Sequence, residues 1–166
     1  MADQDPIDVL VSQWLDARPD LRDQLPAMAT FAKLGRLSIV GGKAIEAVFA
    51  EHGLITGEFD VLATLRRSGE PFAVPPSQLA RALMLSPAGM TNRVDRLEAA
   101  GYVERRPDPD DRRSTLVVLT AAGLELVDRA VEDHVDNEEA LLGVLSATER
   151  RSLDRILDKL LAQFAR

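Results

Sequence analysis

The chain has no cysteine among its 166 residues, only two histidines, and a single tryptophan and a single tyrosine beside five phenylalanines. Without thiols there are no disulfides, thiolate metal sites or thiol redox switches, a composition that suits a reducing compartment. His52 and His134 do not form an H-E-x-x-H pattern, and no G-x-S-x-G elbow is present. The stretch "VGGKA" lacks both the first glycine and the Ser/Thr of a phosphate-binding loop, and it falls inside a helical pattern. Catalysis, a bound metal and an organic cofactor are therefore not expected. No apolar run reaches the ~20 residues that span a bilayer. The acidic start "MADQDPIDVL" has neither the basic beginning nor the apolar core of a secretory signal. A cytoplasmic protein with no membrane partner is the expectation.

Apolar residues make up 46% of the chain and charged residues 28%. That is enough to build a core, which the scarcity of aromatics leaves to Leu, Val, Ile and Ala. The net charge of −7 argues against nonspecific coating of nucleic acid. The charge is segregated, however. Acid gathers in "ELVDRAVEDHVDNEEALL", whereas Arg93, Arg96, Arg105, Arg106, Arg112 and Arg113 crowd into one short span. An acidic body with a basic face is compatible with binding DNA.

Helical spacing and capping residues divide the chain. Asp5 and Pro6 open a short helix whose Ile7, Leu10 or Val11, and Trp14 share a face. "DARPDLRDQLP" reads as a linker. A long helix is predicted from about Ala27 to His52, with Gly35, Gly41 and Gly42 permitting close backbone packing. Thr56 is the expected cap of a third helix ending near Gly69, and "EPFAVPP" reads as a loop. A short helix follows from Ser77 to Met84. Ser86 and Pro87 then start another, which stops at Gly101. "YVERRP" and "STLVVLT" read as two strands flanking a turn. Thr120 caps a long acidic helix, and Ser146 with Glu149 forms the capping box of the last one. In that helix Leu153, Ile156, Leu157, Leu160 and Phe164 supply one apolar stripe, too apolar to stay exposed and expected to lie in a dimer interface.

Helix, break, helix and hairpin is the order of a winged helix-turn-helix. In the second helix Met90, Val94, Leu97 and Gly101 fall on one narrow face, which must meet the core. Ala88, Asn92, Asp95, Arg96 and Ala99 point away from it. The small residues Ser86, Pro87, Ala88 and Gly89 allow close approach to a groove, and Thr91, Asn92 and Arg96 supply donors for base edges or phosphates. At the wing, Asp108, Asp110 and Asp111 can hold the turn by side-chain-to-backbone bonds. Asp111 with Arg113 is the expected brace, and Arg112 or Arg113 the probe of the minor groove.

"SPAGMTNRVDRLEAAGYVERRPDPDDRRSTLVVLTAAG" resembles the MarR family of bacterial winged-helix regulators, in which a wing D-x-R precedes a strand ending in Leu-Thr. The resemblance covers about Ala27 to Arg166. It implies a mainly α fold with a small β-hairpin wing. It further implies a homodimer built from N- and C-terminal helices and bound to a pseudo-palindromic operator in double-stranded DNA. The expected organisation is an extra helix and linker over 1–25, a long dimerisation or scaffold helix over 26–52, the winged helix-turn-helix over 53–120 and dimerisation helices over 121–166. "QWLDARPDL", "EFDVLATLRR" and "TNRVDRLEAAGYVERR" are similar to the urate-responsive subgroup of that family, which places ligand residues on Trp14, Asp60, Arg93 and Arg105. These types suit a flat purine anion: a stacking face, a charged fork and an acceptor for N–H. Without the resemblance, Trp14 reads equally as a packing residue, Asp60 and Arg93 as an ion pair, and Arg105 as a phosphate contact. The expected protein is thus a regulator, and a repressor, whose operator binding urate or a related purine attenuates. The alternatives are a relative answering to another small aromatic or organic acid, and a winged-helix module for protein contact.

Overall fold

In the computed structural model, which describes residues 5–111 and 114–164, the first helix, α1 (Pro6–Ala17), starts where Asp5 accepts a hydrogen bond from the Ile7 amide. That bond satisfies one of the amides a helix start leaves without a partner. The expected linker contains a short 3-10 turn at Pro19–Leu21, pinned by a two-bond fork from Arg18 to Asp20. The long helix α2 spans Leu25–Glu51. A Cβ added at Gly35, Gly41 or Gly42 would meet nothing within 4 Å. The close packing that these glycines are expected to permit is therefore not seen among the described residues. Contacts divide the protein into two compact units, one up to Ala44 and the other from Ile45 onward.

The second unit holds the core. Helix α3 (Thr56–Arg67) differs from expectation at its start. Ile55 takes the cap position, and its amide donates to Glu58 Oε2 at 3.0 Å. Thr56 lies inside the helix, and its hydroxyl is buried without a partner. The sequence around "LITGEF" offers no Ser or Thr one residue earlier, so the glutamate three residues in performs the capping. Two residues of the expected loop, Ala73–Val74, form strand β1. Short helix α4 (Pro76–Ala82) follows, then α5 (Pro87–Ala99). Strands β2 (Val103–Pro107) and β3 (Thr115–Leu119) close an antiparallel sheet in the order β1-β3-β2. Ala73 pairs with Val118, and Val103 with Leu119. Thus the predicted hairpin gains a third strand from a segment far upstream in the chain, a pairing too short and too distant to leave a local signal. Helices α6 (Ala121–Leu142) and α7 (Ala147–Leu161) complete the unit.

Leu62, Leu65, Leu79, Val117 and Val127 are fully buried and join α3, α4, β3 and α6 in one apolar cluster. Phe49 and Phe59 stack with ring centroids 4.0 Å apart, so the few aromatics sit where α2 leads into this core. On the surface Arg66 Nε donates to Asp128 at 2.7 Å, linking α3 to α6.

Gly123, in the first turn of α6, lies against the wing: a Cβ there would overlap the carbonyl of Tyr102. The same carbonyl accepts from the Thr120 amide at 3.1 Å, while Thr120 Oγ1 caps the Gly123 amide at 3.0 Å. Backbone, unlike the end of a flexible side chain, cannot step aside. Gly123→Ala should therefore lower stability by about 2–3 kcal/mol despite alanine's better helix propensity. A urea unfolding midpoint at or above the wild-type value would contradict this packing.

Candidate nucleic-acid interface

Ser86 begins α5 by accepting a hydrogen bond from the Gly89 amide at 3.1 Å, with Pro87 at the first helical position. Met90, Val94 and Leu97 are each 1% exposed and fix the rotation of the helix on the core. Ala88, Thr91, Asn92, Asp95, Arg96 and Ala99 consequently lie on the exposed face. The Thr91 hydroxyl donates back to the Pro87 carbonyl at 3.0 Å, so its oxygen is left outward as an acceptor. The small N-terminal residues and this polar face form one continuous surface.

Arg96 is not a free side chain. Its Nη2 is 2.8 Å from Glu58 Oε1, while the side chain stays 60% exposed. Glu58 was not among the expected functional residues. Its signal was a glutamate at the third position of a helix lacking a Ser or Thr cap.

Of the aspartates expected to hold the wing turn by side-chain-to-backbone bonds, Asp108 does so. Asp108 Oδ1 accepts from the Asp110 amide at 3.0 Å, and the Asp108 amide reaches the Ser114 carbonyl at 3.1 Å. The Ser114 amide in turn donates to the Asp111 carbonyl at 2.8 Å. Arg112 and Arg113, and with them the expected Asp111–Arg113 brace and the groove probe, lie outside the described residues.

Of the four expected ligand residues, Asp60 and Arg93 lie within electrostatic reach of each other and Arg105 goes elsewhere. Arg93 crosses from α5 to the start of α3 and donates to the Gly57 carbonyl at 3.3 Å. A Cβ at position 57 would meet the Arg93 guanidinium, so a larger residue there would displace that side chain. One turn on, Asp60 is half-buried. Burial pushes its carboxyl above the ordinary value, against the opposing pull of Arg93, Arg67 and His134. Arg105 instead packs on the outer side of α5. It bonds Glu98 through Nη1, reaches Asp95 Oδ1 at 2.6 Å, and its own amide donates to Glu98 Oε1 at 2.9 Å. Partial burial acts to lower the Arg105 pKa, but these bonds hold it above its ordinary value. Arg105 thus ties β2 to α5. Trp14 belongs to the N-terminal unit, on α1, where it is 42% exposed.

His134 on α6 is a further group that the sequence did not single out. Its ring lies 5.0 Å from that of Phe49 and 5.3 Å from that of Phe59, and its Nδ1 is buried without a partner. It lines a cavity of about 350 Å³ with Phe59, Ala63, Arg66, Arg67, Asp128 and Val131. Among the described residues no group of three or more His, Cys, Asp or Glu side chains is placed to hold a metal ion. Among them, too, no helix is long and apolar enough to cross a membrane.

A helix-turn-helix whose second helix turns a polar face outward, with a three-stranded wing beside it, defines a winged-helix DNA-binding domain. Residues 52–114 match the family model of the MarR family. Over 150 residues the chain is 42% identical to the HTH-type transcriptional regulator PecS of Dickeya dadantii, covering 90% of this chain and 89% of that protein. Among solved structures it is similar to Sco5413, a MarR family transcriptional regulator from Streptomyces coelicolor, at 29% identity and a TM-score of 0.69 over 83% of this chain and 94% of the other. The same fold recurs in a mutant MarR from E. coli complexed with operator DNA, at 24% identity and a TM-score of 0.67 over 85% of this chain and 97% of that one. The chain belongs to the MarR family: it is a DNA-binding transcriptional regulator and not an enzyme.

Proposed function

We propose that this regulator is a repressor that binds a pseudo-palindromic operator as a homodimer and releases it when urate or a related purine is bound. The observation that carries the DNA reading is the geometry of α5. Three buried side chains fix its rotation, so that Ser86, Pro87, Ala88, Gly89, Thr91, Asn92 and Arg96 share the open side. Small residues at the N-terminus let the backbone approach a major groove closely, and Asn92 and Arg96 provide the side-chain forks that discriminate bases. Arg112 or Arg113, in the sequence between β2 and β3, would be the probe of the adjacent minor groove. The similarity to a MarR seen on operator DNA supports this placement. A homodimer would carry two such faces, matching a two-fold operator.

The purine reading rests on residue chemistry. Trp14 offers a stacking surface, Arg93 a charged fork, and Asp60 an acceptor for a ring N–H. Arg93 joins the recognition helix to the start of α3. A ligand that captured Arg93 would therefore act on the helix that reads DNA. A phenolic or other organic acid in place of a purine is the outcome that a ligand screen by thermal shift would separate, since a ligand that prefers the folded state raises its melting temperature.

The DNA reading is tested at the wing. Arg113→Ala, or Arg112→Ala if that side chain is the probe, should weaken operator binding by ~1–3 kcal/mol while leaving the fold intact. Unchanged affinity for both single variants in a fluorescence anisotropy titration would remove the wing from the mechanism.

A further inference from the structure

Glu58 is the buried charged residue among the described residues, 7% exposed. Burying a carboxylate is costly unless it is paired, and capping a helix does not require a charge. The second oxygen explains the choice. Oε2 accepts from the Ile55 amide at 3.0 Å, and Oε1 meets Arg96 Nη2 at 2.8 Å. One side chain therefore caps α3 and grips an arginine on the outward face of α5. Arginine is long and samples many rotamers when free. Here one amino group is held from below, while the 60% exposed side chain keeps its other donors toward solvent.

We propose that Glu58 is a positioning residue for DNA recognition. It holds the Arg96 guanidinium in a fixed pose from which the remaining donors read base edges, and so contributes to sequence discrimination rather than to overall attraction. This rests on the reading of α5 as the recognition helix with Arg96 as a DNA contact. A donor fixed before binding loses less freedom on binding, and the gain falls on the sequence whose acceptors match its pose. A pure charge effect has the opposite sign: a carboxylate beside the interface repels phosphates, so removing it would tighten binding to any duplex.

The test compares the full-length protein with Glu58→Gln, Arg96→Ala and the double variant, at one salt concentration. The probes are a duplex recovered by selection from random sequence and a scrambled duplex. Glu58→Gln keeps an oxygen for the Ile55 amide but loses the charge. It should lower the selected-to-scrambled affinity ratio roughly three- to tenfold, the range open to two side chains in direct contact. Affinity for the scrambled duplex should stay within about twofold. In the Arg96→Ala background, Glu58→Gln should lower the ratio no further. Glu58→Asp keeps the charge but not the reach, and should also lower the ratio. Equal losses in both backgrounds would make Glu58 a scaffold residue and overturn the proposal, as would tighter binding of both duplexes by Glu58→Gln. If Arg96→Ala lowers the ratio and Glu58→Gln does not, only the positioning role fails. If Arg96→Ala leaves the ratio unchanged, Arg96 does not read base edges, and the positioning role fails together with that reading of Arg96.

Discussion

Truncating the chain before Ser146 should leave monomer or aggregate in place of a dimer. The last helix is amphipathic, and among the described residues much of the expected apolar stripe stays exposed: Ile156 is 54% exposed, and Phe164, which lies beyond the end of α7, 79%. Leu157 and Leu160 are 37% and 36% exposed, and Leu153 is partly buried. In the N-terminal unit Phe31, Leu37, Ile39 and Val40 are 69%, 65%, 63% and 59% exposed. Fully burying one such side chain is worth roughly 1.5–3 kcal/mol. Several per subunit therefore suffice to oppose the ~4–15 kcal/mol that association costs in lost freedom. A second copy of the chain is the simplest cover, because a two-fold axis lets one stripe meet its own symmetry mate. The capping box at Ser146 and Glu149, with bonds of 2.8 and 3.3 Å, starts this helix independently of what covers it. Truncation would therefore remove a preformed element of the proposed interface. Light scattering checks the result, and a soluble truncated dimer would contradict the assignment.

Asp60→Asn and Trp14→Phe should each remove most of the response to urate. Asp60 is half-buried within electrostatic reach of Arg93, Arg67 and His134. An amide there presents a donor as well as an acceptor, and no longer answers a ring N–H with a full carboxylate. Losing one charge-assisted bond costs about 1.5–3 kcal/mol, on the order of a tenfold or greater loss of ligand affinity. Trp14→Phe removes part of the stacking surface and should leave operator affinity unchanged. Asp60→Asn should alter basal operator affinity as well, because Asp60 acts on Arg93, which bonds the Gly57 carbonyl on α3. Isothermal titration with urate measures both variants. Wild-type binding in both would remove these residues from the ligand site while leaving the DNA reading untouched.

Most of the fold was legible because its signals are local. Asp5, Ser86, Thr120 and Ser146 each accept the bond their positions promise. The spacing of Met90, Val94 and Leu97 placed the core side of α5 without reference to any neighbour. What escaped the reading depends on distant partners. Strand β1 is two residues long between prolines and exists only because β3 lies beside it. The cap of α3 fell to Glu58 rather than Thr56, since the residue at the cap position is Ile55. The arginines were recognisable as a cluster, but their assignments were not. Arg96 and Arg105 have carboxylates within reach only once α3 and β2 are packed against α5. The i, i+3 pair Asp95 and Glu98 was a signal for the Arg105 contact, since that spacing puts two carboxylates on one helix face.

The central claim is that ligand and operator compete through the recognition helix. Its most direct test is one titration: wild-type protein against a fluorescent operator duplex, with and without saturating urate, at the same salt concentration. By linkage, a ligand that weakens DNA binding must itself be weakened by DNA to the same degree. The account predicts that urate raises the operator Kd roughly 5- to 150-fold, a coupling of ~1–3 kcal/mol. An unchanged operator Kd in protein that calorimetry shows to be saturated with urate would contradict it.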